Sequence, residues 1–218
     1  KDYGKIKYSK NKLPLDENLI VYTSGSGGNF RAGLPIGILN NKLEEFGVEY
    51  QIVDNGALSL SIFDTLILPG VGSYDVAVRN LDEKGFREPI LDWAQKGGNL
   101  IGVCLGMQLL LSESEEGHGN GLGIIPGKVL SFKGRINDKF LRMGWGPVKF
   151  CDSGKIIDRL YFAHGFYCKP SDERDVYATS YYGLEYAAAV KRDNVYGFQF
   201  HPEKSGPRGL ALLKELLS

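Results

Sequence analysis

The chain has 218 residues, 43% of them hydrophobic, and sets 26 lysines and arginines against 26 aspartates and glutamates. Zero net charge excludes an overall basic field for gripping nucleic acid or an anionic membrane, and no apolar run approaches the roughly 18 residues that a membrane span needs. Three cysteines, with no CxxC and no paired Cys/His spacing, speak against a disulfide framework or a metal site and fit a reducing cytoplasm.

The chain opens on KDYGKIKYSKNK, lysines mixed with tyrosines, and residues 1–18 read as a solvated leader ahead of one domain over 19–218. From there short β-branched runs alternate with helical patterns. LIVYT (19–23), EYQIV (49–53), DTLILP (64–69) and NLIGVC (99–104) predict strands. IGILNNKLEEFG (36–47) and NLDEKGFREPILDWAQKGG (80–98) carry apolar residues three and four apart and end in glycine, as helices do. Strands joined by crossover helices predict a buried parallel sheet. Beyond about residue 121 the texture becomes aromatic and turn-rich. GKVLSF, GPVKF, LYFAHGFYC, VYATSYY and the pair within YAAAVKRDNVYGFQF predict an antiparallel extension, and GPRGLALLKELLS a closing helix.

In GVCLGMQ (102–108) an apolar strand runs into Cys104, with glycine two residues away on each side and an apolar helix following. That is a nucleophile elbow with cysteine in place of serine. At a helix N-terminus the sulfur is favoured as thiolate, and free N–H groups there can hold an oxyanion. Cys151 and Cys168 lack this setting and read as structural. The base comes from FQFHPEKSG (198–206). Proline keeps the preceding His201 extended, so His201 and Glu203 project to the same side, where the carboxylate can orient the imidazole. Of the other histidines, His118 lies in a solvated loop and His164 in an aromatic strand, where a satisfied core histidine is expected. LPGVGS (68–73) follows a buried strand and so lies at the carboxyl edge of the sheet, where open α/β folds place ligands.

These motifs together, in order with ESEEG, GLGIIPGKV, MGWGPV and YFAHGFY between them, resemble the class I (triad) glutamine amidotransferases. The resemblance is nearest to the glutaminase subunits of the imidazole glycerol phosphate synthases of histidine biosynthesis. It implies a flavodoxin-like three-layer sandwich, L-glutamine as substrate, and Cys104, His201 and Glu203 as catalytic triad. It also implies an oxyanion hole from the amides at Gly72 and Leu105, substrate contacts from Gly70 and Gln108, and no metal or organic cofactor. A glutaminase needs an acceptor for its ammonia, and the resemblance implies a (β/α)8-barrel cyclase that wakes the site by reorienting the PGVG peptide.

The chain departs from the family pattern at Arg142, where a histidine is usual before MGW, at Gly146 for asparagine, and at Gly165 for a hydroxyl residue. The loop SGSGGNFRAG (24–33) keeps Gly28, Asn29 and Phe30 but lacks the usual Asp-Tyr-Gly opening. These segments lie near the family's partner face, so a paralogue feeding a sugar-modifying synthase of surface polysaccharide is the alternative acceptor. A cysteine peptidase-like hydrolase on the same elbow is the reading from another class. The HPE segment and the PGVG loop count against it.

Overall fold

The computed structural model describes residues 17–21, 33–48, 50–53, 60, 63–70, 72–137 and 139–217. Residues 1–16 and the loop residues Gly28, Asn29 and Phe30 lie outside the described residues. Strands β1 (Glu17–Val21), β2 (Tyr50–Val53), β3 (Phe63–Gly70) and β4 (Asn99–Cys104) pair in the order β2-β1-β3-β4, all parallel. The next strand in space is β12 (Val195–Phe198), parallel to β4 although about 90 residues further along the chain. Counted by position this is the flavodoxin-like order 2-1-3-4-5, with the last strand supplied from near the C-terminus.

Strands β3 and β4 bury both faces. On β3, Leu66 and Leu68 pack into one cluster and Ile67 into the other; on β4, Leu100 faces the first and Ile101 and Val103 the second. Helices α2 (Tyr74–Glu83), α3 (Arg87–Gln95) and the short α4 (Leu105–Leu109) cover the first face. Helices α1 (Gly33–Glu45) and α5 (Gly206–Leu216) cover the second through Leu39, Leu43 and Leu213. Each fully buried leucine or isoleucine contributes on the order of 1.5–3 kcal/mol. The result is the expected three-layer sandwich.

The pattern over 80–98 is two helices rather than one. After α2 the chain turns left-handed at Gly85 (φ 71°), where Gly85 N–H bonds to Asp82 O and Phe86 N–H to Leu81 O. That is a Schellman stop, and it drops the Phe86 ring, fully buried, into the core. The helical spacing persists across the break because both helices face the same sheet.

Beyond β12 the sheet turns antiparallel through β11 (Leu184–Arg192), β10 (Val176–Tyr182), β7 (Arg142–Phe150) and β8 (Ile156–His164). LYFAHGFYC is not one strand: it breaks at Gly165 into β8 and β9 (Phe166–Pro170). β9 leaves to pair with β6 (Gly127–Ser131), which in turn pairs with β5 (Glu113–Ser114). The β11–β12 hairpin closes over Asp193 and Asn194, with Asp193 at φ 51°. This hairpin carries the chain back beside the elbow.

Candidate active site

Cys104 ends β4 with φ 55° and ψ −107°, a strained conformation for a residue with a Cβ. What enforces it is packing around glycines. A Cβ at Gly102 would meet the Gly106 backbone at 2.7 Å, and one at Gly106 would meet Leu68 O at 1.8 Å. At Gly70, directly across from Cys104 on β3, it would meet Leu105 Cβ at 2.7 Å. The elbow therefore tolerates no side chain at these three positions, and the chain must change direction at Cys104.

The register of β12 on β4 delivers the histidine. Gly197 lies opposite Gly102 and Phe198 opposite Val103, so the segment just past β12 runs alongside Cys104. His201 is pinned there by its N–H to Tyr161 O (2.8 Å), and Ser205 Oγ donates to His201 O (2.6 Å) while accepting from Tyr161 N–H (2.9 Å). Its backbone is extended (φ −99°, ψ 96°), but Pro202–Lys204 then forms a 3₁₀ turn. Glu203 thus reaches His201 across a turn and not along a strand. The contact forms all the same, with His201 Nδ1 2.8 Å from Glu203 Oε1.

Both partners are buried, His201 at 2% and Glu203 at 6% exposure. Burial alone pushes the imidazole toward neutrality. The charge and hydrogen bond of the Cys104 sulfur, then the hydrogen bond and charge of Glu203, outweigh it and hold the His201 proton well above the ordinary histidine range. The sulfur and imidazole, 97 positions apart, are thereby within interaction range. Cys104 Sγ also lies 3.9 Å from Ala163 O on β8 and 3.8 Å from Gln199 Nε2.

Of the other residues singled out from the sequence, Leu105 and Gln108 lie on the helix that follows Cys104. Gln108, 4% exposed, follows Cys104 by one helical turn and donates through Nε2 to Phe166 O (3.3 Å) and Gln199 Oε1 (3.3 Å). Leu105 opens α4. Gly72 sits at φ 127°, a backbone that favours glycine; Val71 beside it lies outside the described residues. His118 is exposed, its backbone N–H held by Asp75 Oδ1 at 2.8 Å. Cys151 is exposed; Cys168 is buried, and burial pushes its thiol far up. No group of histidine, cysteine and carboxylate side chains among the described residues is placed to hold a metal ion.

His164 is in the core but only half satisfied. Its Nδ1 lies 2.7 Å from Phe166 O, while Nε2 is buried without a hydrogen-bond partner. Sequence reasoning also missed Gln199, fully buried between Phe198 and Phe200. The signal was available: one polar residue inside the apolar run VYGFQF.

Two departures from the family pattern prove to be one. Arg142 is 5% exposed, bonded to Ser180 Oγ (3.1 Å) and the Tyr186 hydroxyl, with its guanidinium carbon 3.7 Å from the Phe162 ring centre. A Cβ on Gly146 would strike Arg142 Nη2 at 2.1 Å. The guanidinium occupies the room that a side chain at 146 would need. Gly165 differs: a Cβ there would make only ordinary contact, 3.5 Å from Phe140, and nothing in the structure explains its lack of a side chain.

A thiol at a strained strand–helix corner, an imidazole within its influence and a carboxylate 2.8 Å from one imidazole nitrogen are the groups that a cysteine hydrolase needs. The chain belongs to the class I glutamine amidotransferases: the family described as "Glutamine amidotransferase class-I" matches residues 37–217. It is thereby a glutamine-hydrolysing enzyme. Within the family it is 37% identical over 204 residues to the imidazole glycerol phosphate synthase subunit HisH of Chlorobaculum tepidum, covering 90% of this chain and 98% of that protein. It is 43% identical over 185 residues to the HisH subunit of Geobacillus thermodenitrificans, covering 80% and 86%. Among solved structures the fold is shared with PurLQS from Thermotoga maritima (TM-score 0.70, 21% identity, 92% of this chain and 97% of that one). It is also shared with a structure described as a glutamine amidotransferase (TM-score 0.67, 18% identity, 91% and 98%).

Proposed function

We propose that Cys104, His201 and Glu203 are the catalytic triad, and that the chain is the glutaminase subunit of an imidazole glycerol phosphate synthase. The observation that carries the triad is the β12–β4 register, which sets His201 against the Cys104 sulfur with Glu203 2.8 Å from its other nitrogen. Cys104, its proton passed to His201, attacks the glutamine carboxamide carbon. The amides at Leu105 and Gly72 hold the resulting oxyanion, and Gly70 and Gln108 hold the substrate. His201 returns the proton to the departing nitrogen, releasing ammonia and leaving a glutamyl thioester. His201 then takes a proton from water, whose oxygen attacks the thioester; glutamate leaves and the thiol is restored. No step calls for a metal or an organic cofactor.

The HisH relatives are synthase subunits by name, and the acceptor proposed here is a cyclase subunit of (β/α)8-barrel fold. An exposed apolar strip supports a docked partner. Leu141, Met143 and Trp145 are 47%, 60% and 48% exposed, and Met143 lies across from Ala163, whose carbonyl touches the nucleophile. A partner seated on this strip would sit over the sulfur and could receive ammonia before water protonates it. The same strand carries Arg142 and Gly146, and that substitution favours the second reading, a partner that is a sugar-modifying synthase.

The test is glutamate release by the chain mixed with candidate cyclase. Cys104→Ala should abolish it while leaving the cyclase able to use added ammonium. Undiminished release from Cys104→Ala overturns the triad. Equal release with and without any barrel-type partner overturns the dependence on docking, and turnover of glutamine only with a sugar-modifying synthase selects the second reading.

A further inference from the structure

Gln199 has no role in the triad, yet its placement is costly. Its side chain is fully buried directly after β12, with its backbone N–H locked to Ala188 O at 2.9 Å. A buried carboxamide left unpaired costs on the order of 1–3 kcal/mol, where an apolar residue would cost nothing. Here the polar atoms are spent in one direction. Oε1 accepts from Gln108 Nε2 at 3.3 Å, and Nε2 points at Cys104 Sγ, 3.8 Å away.

The orientation is fixed from behind. Gln108 Nε2 also donates to Phe166 O at 3.3 Å, a carbonyl that His164 Nδ1 approaches to 2.7 Å. With a donor facing its oxygen, the Gln199 carboxamide must turn its N–H groups toward the sulfur. Besides His201, the sulfur's other neighbour is Ala163 O at 3.9 Å, which can only accept. It suits a thiol, which donates, and repels a thiolate. Gln199 suits the thiolate, which accepts.

We propose that Gln199 is a positioning residue for the nucleophile, its carboxamide N–H holding the Cys104 sulfur as thiolate while Gln108 pins its oxygen. The inference rests on Cys104 being the nucleophile.

The test uses the full chain and its complex with the partner. Gln199→Met keeps length and burial and removes the donor; Gln199→Glu keeps shape and sets an acceptor against the sulfur. Two quantities are read: the pH midpoint of Cys104 alkylation by iodoacetamide, resolved from Cys151 and Cys168 by peptide mass, and kcat against KM for glutamine. Losing one donor to a thiolate should raise the midpoint by about one pH unit and lower kcat about tenfold, with KM within about twofold. Gln199→Glu should move the midpoint further in the same direction. A wild-type midpoint in a folded Gln199→Met chain overturns the proposal. If that variant does not fold, a wild-type midpoint in Gln199→Glu overturns it instead. A wild-type complex that releases no glutamate would sink the glutaminase reading itself; an active wild type with unmoved variants sinks this inference alone.

Discussion

Two buried histidines, each packed against aromatic rings, are driven to opposite states. His201 and His164 are 2% and 5% exposed, so desolvation disfavours the imidazolium at both. At His201 the Cys104 sulfur and the Glu203 carboxylate face the ring, and their charge and hydrogen bonds hold its proton on. At His164 the partners are a carbonyl, which favours the proton, and the Arg142 guanidinium and His201, which oppose it; burial leads, and the ring is pushed down to about 3. Burial raises the stakes at both sites and the neighbours decide the sign. One corner is thus suited to move protons and the other to stay neutral.

The most drastic way to break this contrast is to make the first corner resemble the second. Glu203→Gln removes the charge that faces His201 Nδ1 and offers an amide that can donate to it, favouring the wrong tautomer. We expect kcat for glutamine to fall on the order of a thousandfold, with KM changed little, by analogy with removal of the buried acid of a hydrolase triad. Steady-state glutamate release in the complex checks it. A loss under tenfold would mean that the carboxylate contributes little beyond position.

The same contrast marks what could be read from the chain. The elbow at Cys104, the extended His201 and the parallel strands were legible because each depends on a local rule: glycine beside a strained turn, an extended residue before proline, a β-branched run. The break at Gly85 was not, because an amphipathic pattern survives a Schellman stop when both helices lie on one sheet face. Nor was the His164 corner. Its character comes from Arg142, Phe162, Ser180 and Tyr186 meeting across β7, β8, β10 and β11, and no spacing rule links residues that far apart. Arg142 and Gly146 were visible as two departures; only the 2.1 Å clash makes them one.

That linkage sharpens the second corner. Arg142 is pushed down to about 10 by burial, and no carboxylate among the described residues pairs with it. Gly146→Asn alone must expel the guanidinium from its bonds to Ser180 and Tyr186, and we expect it to cost about 2–4 kcal/mol. Arg142→His frees the space. The double change, which restores the usual family pair, should be more stable than Gly146→Asn alone, with a coupling of about 1–3 kcal/mol. Urea melts of the four chains measure it, and additive effects would show that the two positions are independent.

The smallest effect follows from His164 itself, and its sign can be worked out. In the folded chain the ring binds a proton only near pH 3, against an ordinary value of 6.5. Between those limits the unfolded chain holds more protons at this residue, so stability is fully present above about 6.5 and is lost as the pH falls. Integrated from pH 7 to pH 5, the loss from this residue is about 2 kcal/mol. His164→Gln removes the titration, whatever it costs at neutral pH, so its urea stability should decline about 2 kcal/mol less than wild type over that interval. Parallel curves for the two chains would mean that His164 gains a proton partner when the pH falls. The bare Nε2 atom would then have to find an acceptor within a wall of aromatic rings, and the contrast between the two corners would collapse.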